Sequence, residues 1–424
     1  MPAPAAAPGD SPLGRLVPPV LRRHPAFARQ WLGYLAATLG DQVGWIALVW
    51  LVIRLTGGAA AVGLVTAAYI GPQVVVAPLA GALLDRYGRA RLMAAASAAV
   101  GVMFAVLALI GGGLHGAPVG ALYPAVVLTG ALIPFGTAGR VGLVAEVVPA
   151  AELSQANFLL QGGGQLAALV GPALAGGLVA AVGSVPLLWA DAAAYAAQAM
   201  LLASVVERQT TGTPAPAAGV RATLADLAAG FSFVAARPAL VAFAALEVLF
   251  NFLYGPFEVL LPNLARTLGG PWTLGLMWTA FGAGALAASA WYAVRPWRLA
   301  PSRAFAAIIV LWALVALAMS RIHGLPEACA LLLVGGVVYG PWAALYATVL
   351  QRVVPGAMQS RVAGSLSALI VGGMPAGALC GGLVLGHMAG ATVFALSGAA
   401  TLALGIAVAA LPMLRGLDGT GPPA

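Results

Sequence analysis

The chain has 424 residues, 62% of them hydrophobic and only 8% charged, with a formal net charge of +8. That balance excludes a soluble globular enzyme, which carries about 25% charged residues and about half apolar ones. A basic excess can signal a nucleic-acid partner, but here every basic residue is Arg and the arginines separate long apolar runs, so the charge reads as membrane topology instead.

Residues 1–26 are rich in Pro, Ala and Arg and lack a separate apolar core with a cleavage site, which predicts a disordered cytoplasmic tail. Twelve runs of span length follow, each near the 20 or so residues a helix needs to cross the hydrocarbon. They lie at 28–54, 58–84, 91–112, 119–140, 158–182, 185–206, 238–262, 270–294, 304–321, 327–350, 362–386 and 389–411. An even count puts both termini on one side. Only Arg54, Arg266 and Arg321 fall in odd-numbered loops, a bias that places both termini in the cytoplasm. The predicted fold is an all-α membrane protein of twelve transmembrane helices.

Span 1 carries Tyr34, Thr38, Asp41 and Trp45 at helical spacing, so the four share one face. Asp41 lies about 18 Å along the axis from the interfacial Arg29, near mid-bilayer. An acid at that depth costs at least ~2.5 kcal/mol unless it faces a cavity or holds a proton. Asp41 is therefore a candidate proton or substrate site, the alternative being an acid satisfied by a neighbouring helix.

Span 2 runs into the densest charge cluster of the chain, Gly81, Asp85, Arg86, Gly88, Arg89 and Arg91. Gly81 allows a close helix approach and Gly88 a tight turn, while Asp85 can pair with Arg or face a helix N-terminus. The spacing G-x-L-x-D-R-x-G-R-x-R resembles the signature loop between helices 2 and 3 of major facilitator superfamily transporters. The resemblance implies two pseudo-symmetric six-helix halves and a cytoplasmic gate in which Asp85 latches onto helix 11. Proton-exchanging members often carry an Arg inside helix 4. Arg140 sits instead at the predicted cytoplasmic end of span 4, where it reads as an interfacial Arg.

Span 5 contains Gly171, Pro172, Gly176 and Gly177, which strip side chains from a helix face and bend it. The run G-P-x-x-x-G-G resembles the helix-5 signature of the superfamily's drug:proton antiporters, with one extra residue. Asp191, about four residues inside span 6, is a further proton-coupling candidate or an acid reaching the outer interface. Residues 207–237 read as a cytoplasmic linker ending in a short surface helix.

The second half, 238–412, echoes the first 27–206. Val147-Val148-Pro149 recurs as Val353-Val354-Pro355, and Gly176-Gly177 as Gly381-Gly382. The same offset carries Asp41 onto Glu247, which begins a second stripe of Glu247, Asn251, Tyr254 and Glu258. The two stripes are expected to face each other across a central pathway, with Glu247 as a proton-coupling candidate and Tyr34, Thr38, Trp45, Asn251, Tyr254 and Glu258 as cavity residues. Residues 413–424 read as a cytoplasmic tail. The latch is not well repeated near Trp291 to Arg298, which lacks the acid.

Between Phe27 and Leu411 the wording resembles bacterial drug and metabolite exporters, including macrolide and siderophore exporters. What this implies is a monomeric multi-pass protein of the bacterial inner membrane that exports small amphipathic compounds by proton antiport. An uptake permease, a lipid or lysolipid carrier and a non-transporting receptor remain alternatives. No nucleophile and base pattern, nucleotide loop or metal-ligand cluster stands out, so no cofactor, metal, nucleic acid or enzymatic activity is expected.

Overall fold

The computed structural model describes residues 18–113, 119–209, 220–295 and 299–418. The tail to residue 17, His115 in its loop, the linker at 210–219, residues 296–298 of the latch counterpart and the last six residues lie outside that set.

Among the described residues twelve helices are long and apolar enough to cross a membrane. Spans 1 to 6 are Pro25–Thr56, Ala59–Tyr87, Arg89–Gly111, Leu122–Val147, Ala150–Val182 and Ser184–Val205. Spans 7 to 12 are Pro238–Leu268, Pro271–Tyr292, Pro301–Met319, Leu325–Val353, Gln359–Leu385 and Gly390–Ala410. Large apolar side chains such as Phe158, Leu166, Val75 and Met200 are exposed on the outside of the bundle, which suits lipid and not water.

The helix packing has the symmetry the repeats imply. Spans 3 and 6 pack together, as do 9 and 12; spans 2 and 4 match 8 and 10; spans 1 and 5 match 7 and 11. The halves meet through span 2 on span 11 and span 5 on span 8, which are again a symmetric pair of contacts. The chain is thus a twelve-helix protein of two pseudo-symmetric halves. Twelve crossings return it to its starting side, the termini side; the opposite side is the far side.

On the far side the halves are sealed by bare backbone. A Cβ on Gly176 would collide with the Pro271 carbonyl and Gly275, and one on Gly63 with the Ala378 carbonyl and Gly382. Arg266 adds a hydrogen bond to the Gly57 carbonyl at 3.0 Å. Removing side chains lets backbones approach this closely, so van der Waals contact replaces the hydrophobic drive that lipid cannot supply. On the termini side spans 2, 4 and 11 are parted by a cavity of about 430 Å³ under the helix Val220–Ala235. That helix, expected from the linker sequence, is held to span 11 by Asp226 and Arg361 at 2.7 Å and by Ser365 donating to the Leu227 carbonyl.

Two tails are more ordered than expected. Residues 19–23, assigned to a disordered segment, form a short helix whose Val20 and Leu21 are buried against Phe27, Val144 and Leu160. Pro19 opens the helix with its fixed φ, and Arg23 and His24 each reach Glu152 at 3.2 Å. At the other end Pro412–Asp418 forms a 3-10 helix with Leu414 and Leu417 buried. Asp418 accepts hydrogen bonds from the Ser302 backbone N–H and hydroxyl, capping span 9.

Candidate functional site

The stripe on span 1 divides between two cavities. Tyr34, Thr38 and Asp41 line a small cavity of about 70 Å³ within the N-terminal half, together with residues of spans 3, 4 and 6. Trp45, one turn beyond Asp41, lines a separate mid-depth cavity of about 500 Å³ between the halves. The expectation that the two stripes face each other across one central pathway is therefore corrected: Asp41 and Glu247 lie within their own halves and neither lines the cavity between them.

Asp41 is held by Tyr195 of span 6, whose hydroxyl donates to Asp41 Oδ1 at 2.6 Å. One turn before Tyr195, Asp191 is buried against span 1, and a Cβ on either Gly40 or Gly44 would strike its carboxylate. Among the described residues neither Asp191 oxygen has a hydrogen-bond partner. The expectation of an Asp191 that reaches the outer interface fails, because the helix starts at Ser184 and the seven-residue advance to Asp191 carries it about 10 Å inward. A buried ionised carboxylate without partners costs several kcal/mol.

Arg140 shares the small cavity with Asp41 and places its guanidinium 4.3 Å from the centre of the Tyr34 ring. Gln30 donates to the Arg140 carbonyl at 3.0 Å. Span 4 continues to Val147, two turns past Arg140, so the interfacial assignment is corrected: this Arg lies inside the helix and inside the cavity. The sequence placed it at an end because the apolar run stops at Arg140 while the helix does not.

In the second half the stripe is interrupted. The helix breaks at Gly255-Pro256 into Pro238–Tyr254 and Phe257–Leu268, and span 10 breaks likewise at Gly340-Pro341. Both breaks follow a tyrosine, and the rings of Tyr254 and Tyr339 stack at 5.8 Å. Proline lacks the N–H that would continue the ladder. The two glycines are required by contact, since a Cβ on Gly255 would meet backbone of span 11 and one on Gly340 backbone of span 8. Glu247 sits before the break, buried, with Trp342 Nε1 donating to Oε2 at 3.3 Å and Oε1 left without a partner. Asn251 turns back to the Glu247 carbonyl, and Tyr254 joins an aromatic cluster with Phe257 and Trp312, so neither lines the mid-depth cavity. Glu258, past the break, does line it.

The mid-depth cavity is walled by spans 1, 5, 7, 8 and 10, with Trp45, Trp278, Phe281, Tyr339 and Trp342 among its lining residues. Span 8's aromatics and the Tyr339 to Trp342 pair gave no signal beyond ordinary apolar packing. The repeated Tyr-Gly-Pro at 254–256 and 339–341 would have pointed to both walls.

Of the helix-5 residues, Pro172, Gly176 and Gly177 serve the interface between halves, while Gly171 packs within its own half. Gly171 faces Gln42 of span 1, Pro172 lines the cavity with its carbonyl against Gly275, and Gly176 abuts span 8 with Gly177 beside Trp272. The latch, by contrast, stays within its own half. Asp85 pairs with Arg89 at 2.5 Å, and Arg89 pairs with Glu146 of span 4 at 2.5 Å. The implied partner in span 11 is not engaged, because the halves are parted on this side. Gly88 takes the positive φ of 88° its turn demands, Arg86 lies 5.2 Å from the Tyr87 ring centre and Arg91 is exposed. Gly81 faces open space, so the expected close approach at that position is absent in this arrangement.

The family model of the Major Facilitator Superfamily matches residues 30–367. The chain belongs to the Major Facilitator Superfamily. Among relatives of this superfamily chain, the multidrug efflux pump Tap of Mycolicibacterium fortuitum is 30% identical over 91% of this chain and 95% of its own. The multidrug efflux pump Tap of Mycobacterium tuberculosis (strain ATCC 25618 / H37Rv) is 28% identical over 93% and 95%. Of solved structures, a bacterial homologue of the iron transporter ferroportin in an inward-facing state matches with TM-score 0.70 at 15% identity, covering 93% of this chain and 99% of that one. The peptide transporter POT in complex with sulfate matches with TM-score 0.70 at 13% identity, covering 93% and 96%. At such identities the two structures speak for the shared fold. As a superfamily member the chain is a multi-pass membrane transporter.

Proposed function

We propose that this transporter exports small amphipathic drugs or metabolites from the cytoplasm by proton antiport, through alternating exposure of the mid-depth cavity. The observation that carries the reading is the pairing of a substrate-sized cavity between the halves with a separate, acid-bearing cavity inside one half. Cargo and proton then occupy different sites that share span 1, with Trp45 on one and Asp41 on the other. The relatives from Mycobacterium tuberculosis and Mycolicibacterium fortuitum are multidrug efflux pumps, which favours export over uptake.

With the termini in the cytoplasm, as the arginine bias favours, the described conformation is closed outward and parted inward, ready to load cargo. Loading a proton on Asp41 removes the cost of carrying a charge through the occluded state and biases the equilibrium between the two conformations. Arg140, stacked on Tyr34, lines the same cavity on the termini side of Asp41. In the outward conformation the termini side closes, and Asp85 becomes free to exchange Arg89 for span 11.

The test is uptake into inverted membrane vesicles. An acid interior should drive accumulation of an exported compound, and collapse of the pH gradient should abolish it. Accumulation that is indifferent to the gradient would leave a uniporter or a lipid carrier.

A further inference from the structure

The mid-depth cavity holds one formal charge. Among its lining residues Glu258 is acidic and none is basic. Glu258 is only 9% exposed, yet no side chain among the described residues hydrogen-bonds or ion-pairs with its carboxylate. The other two acids near the pathway differ in this respect, since Asp41 has Tyr195 and Glu247 has Trp342. The remaining wall combines five aromatic residues with aliphatic ones and the uncharged polar Gln42, Gln165 and Ser289. Trp278 and Phe281 meet edge to face at 5.8 Å, and Tyr339 and Trp342 lie parallel at 6.0 Å.

Resting on the transport reading, we propose that this cavity selects cargo bearing a delocalised positive charge, with Glu258 as its counter-ion and the rings of Trp45, Trp278 and Phe281 as its cage. The negative faces of aromatic rings attract a cation most strongly where water is excluded. A buried acid without a partner is satisfied by the same ligand, whereas an anion would be repelled and a neutral compound would leave the acid bare. A delocalised charge is favoured over a compact ammonium because less hydration is lost on entry. The volume of about 500 Å³ falls within the range of drug-sized sites. The acid survives at this place because the Gly255-Pro256 break sets Glu258 in the first turn of the following helix, turned from the stripe of Glu247.

The experiment compares two probes on the purified full-length protein in detergent by equilibrium dialysis. Tetraphenylphosphonium is a permanent delocalised cation, and triphenylphosphine oxide is a neutral aromatic relative. The wild type should bind the cation at least ~10-fold more tightly than the neutral probe. Glu258→Gln should erase that preference while still binding the neutral probe, which doubles as its folding control. Glu258→Asp, which keeps the charge, should retain the preference, and Trp278→Leu should weaken cation binding by several-fold. Equal affinity for the two probes in the wild type, or an undiminished preference in Glu258→Gln, overturns the proposal. Binding in detergent needs neither gradient nor compartment. Failure of proton-driven export with cation binding intact would therefore sink the antiport reading and leave the cation site standing.

Discussion

Tyr195 of span 6 donates its hydroxyl hydrogen to Asp41 of span 1 at 2.6 Å, and this contact joins the only acid of span 1 to a helix that never touches the mid-depth cavity. A hydrogen bond to a charged group contributes about 1.5–3 kcal/mol. Tyr195→Phe should consequently lower gradient-driven export by roughly 10-fold or more, without abolishing substrate binding. Export rate and equilibrium binding measured on the same preparation check this, and equal losses in both would mean that Tyr195 supports the fold rather than the coupling.

Gly40 and Gly44 form the cradle for Asp191. Gly44→Ala puts a methyl group where the carboxylate lies and should destabilise the protein by about 1–3 kcal/mol, the usual cost of overpacking. Pairing it with Asp191→Ala should recover part of the loss by freeing the space. A thermal melt in detergent of the single and double variants reads the coupling, and strictly additive losses would contradict the contact.

On the far side Gly275 packs against the Pro172 carbonyl and Gly176. Gly275→Ala cannot be accommodated with the halves sealed, so it should shift the population toward the conformation open on that side. A single cysteine at Ala60, next to Gly382, should react with an impermeant maleimide several-fold faster in the Gly275→Ala background. Unchanged labelling would show that the seal does not depend on spans 5 and 8.

Pro256 and Pro341 interrupt spans 7 and 10 beside the aromatic wall. Restoring the missing N–H with Pro256→Ala should extend the hydrogen-bond ladder and stiffen the break. Turnover is expected to fall several-fold while the protein folds at least as stably. Stopped-flow efflux and a melt curve check the two halves of this statement.

Much of this architecture is written in composition. Apolar runs are long because hydrocarbon is thick, and arginines mark the ends because charge is costly within, so all twelve spans could be read in order. The interface glycines were legible too, since Gly176 has no other use at that density of small residues. Arg140 was misplaced because an apolar run and a helix end at different residues, and hydropathy reports only the first. The stripes misled for another reason. Helical spacing says that Tyr34, Asp41 and Trp45 share a face, but a face about three turns long can front two cavities, and which neighbour stands opposite is a tertiary fact. Asp191 required the same knowledge, because only the packing of span 6 on Gly40 and Gly44 buries it. The loop at Asp85 shows a third limit, for its motif does not tell that the acid pairs with Arg89 and, through it, with Glu146 of span 4.

The most direct test of coupling at Asp41 is substrate-dependent proton movement in proteoliposomes, read with a pH-sensitive dye during a jump in tetraphenylphosphonium concentration. Wild type should move protons opposite to the cation, and Asp41→Asn should bind the cation yet move none. Proton movement of wild-type size in Asp41→Asn would contradict the account and shift the coupling site elsewhere in the bundle.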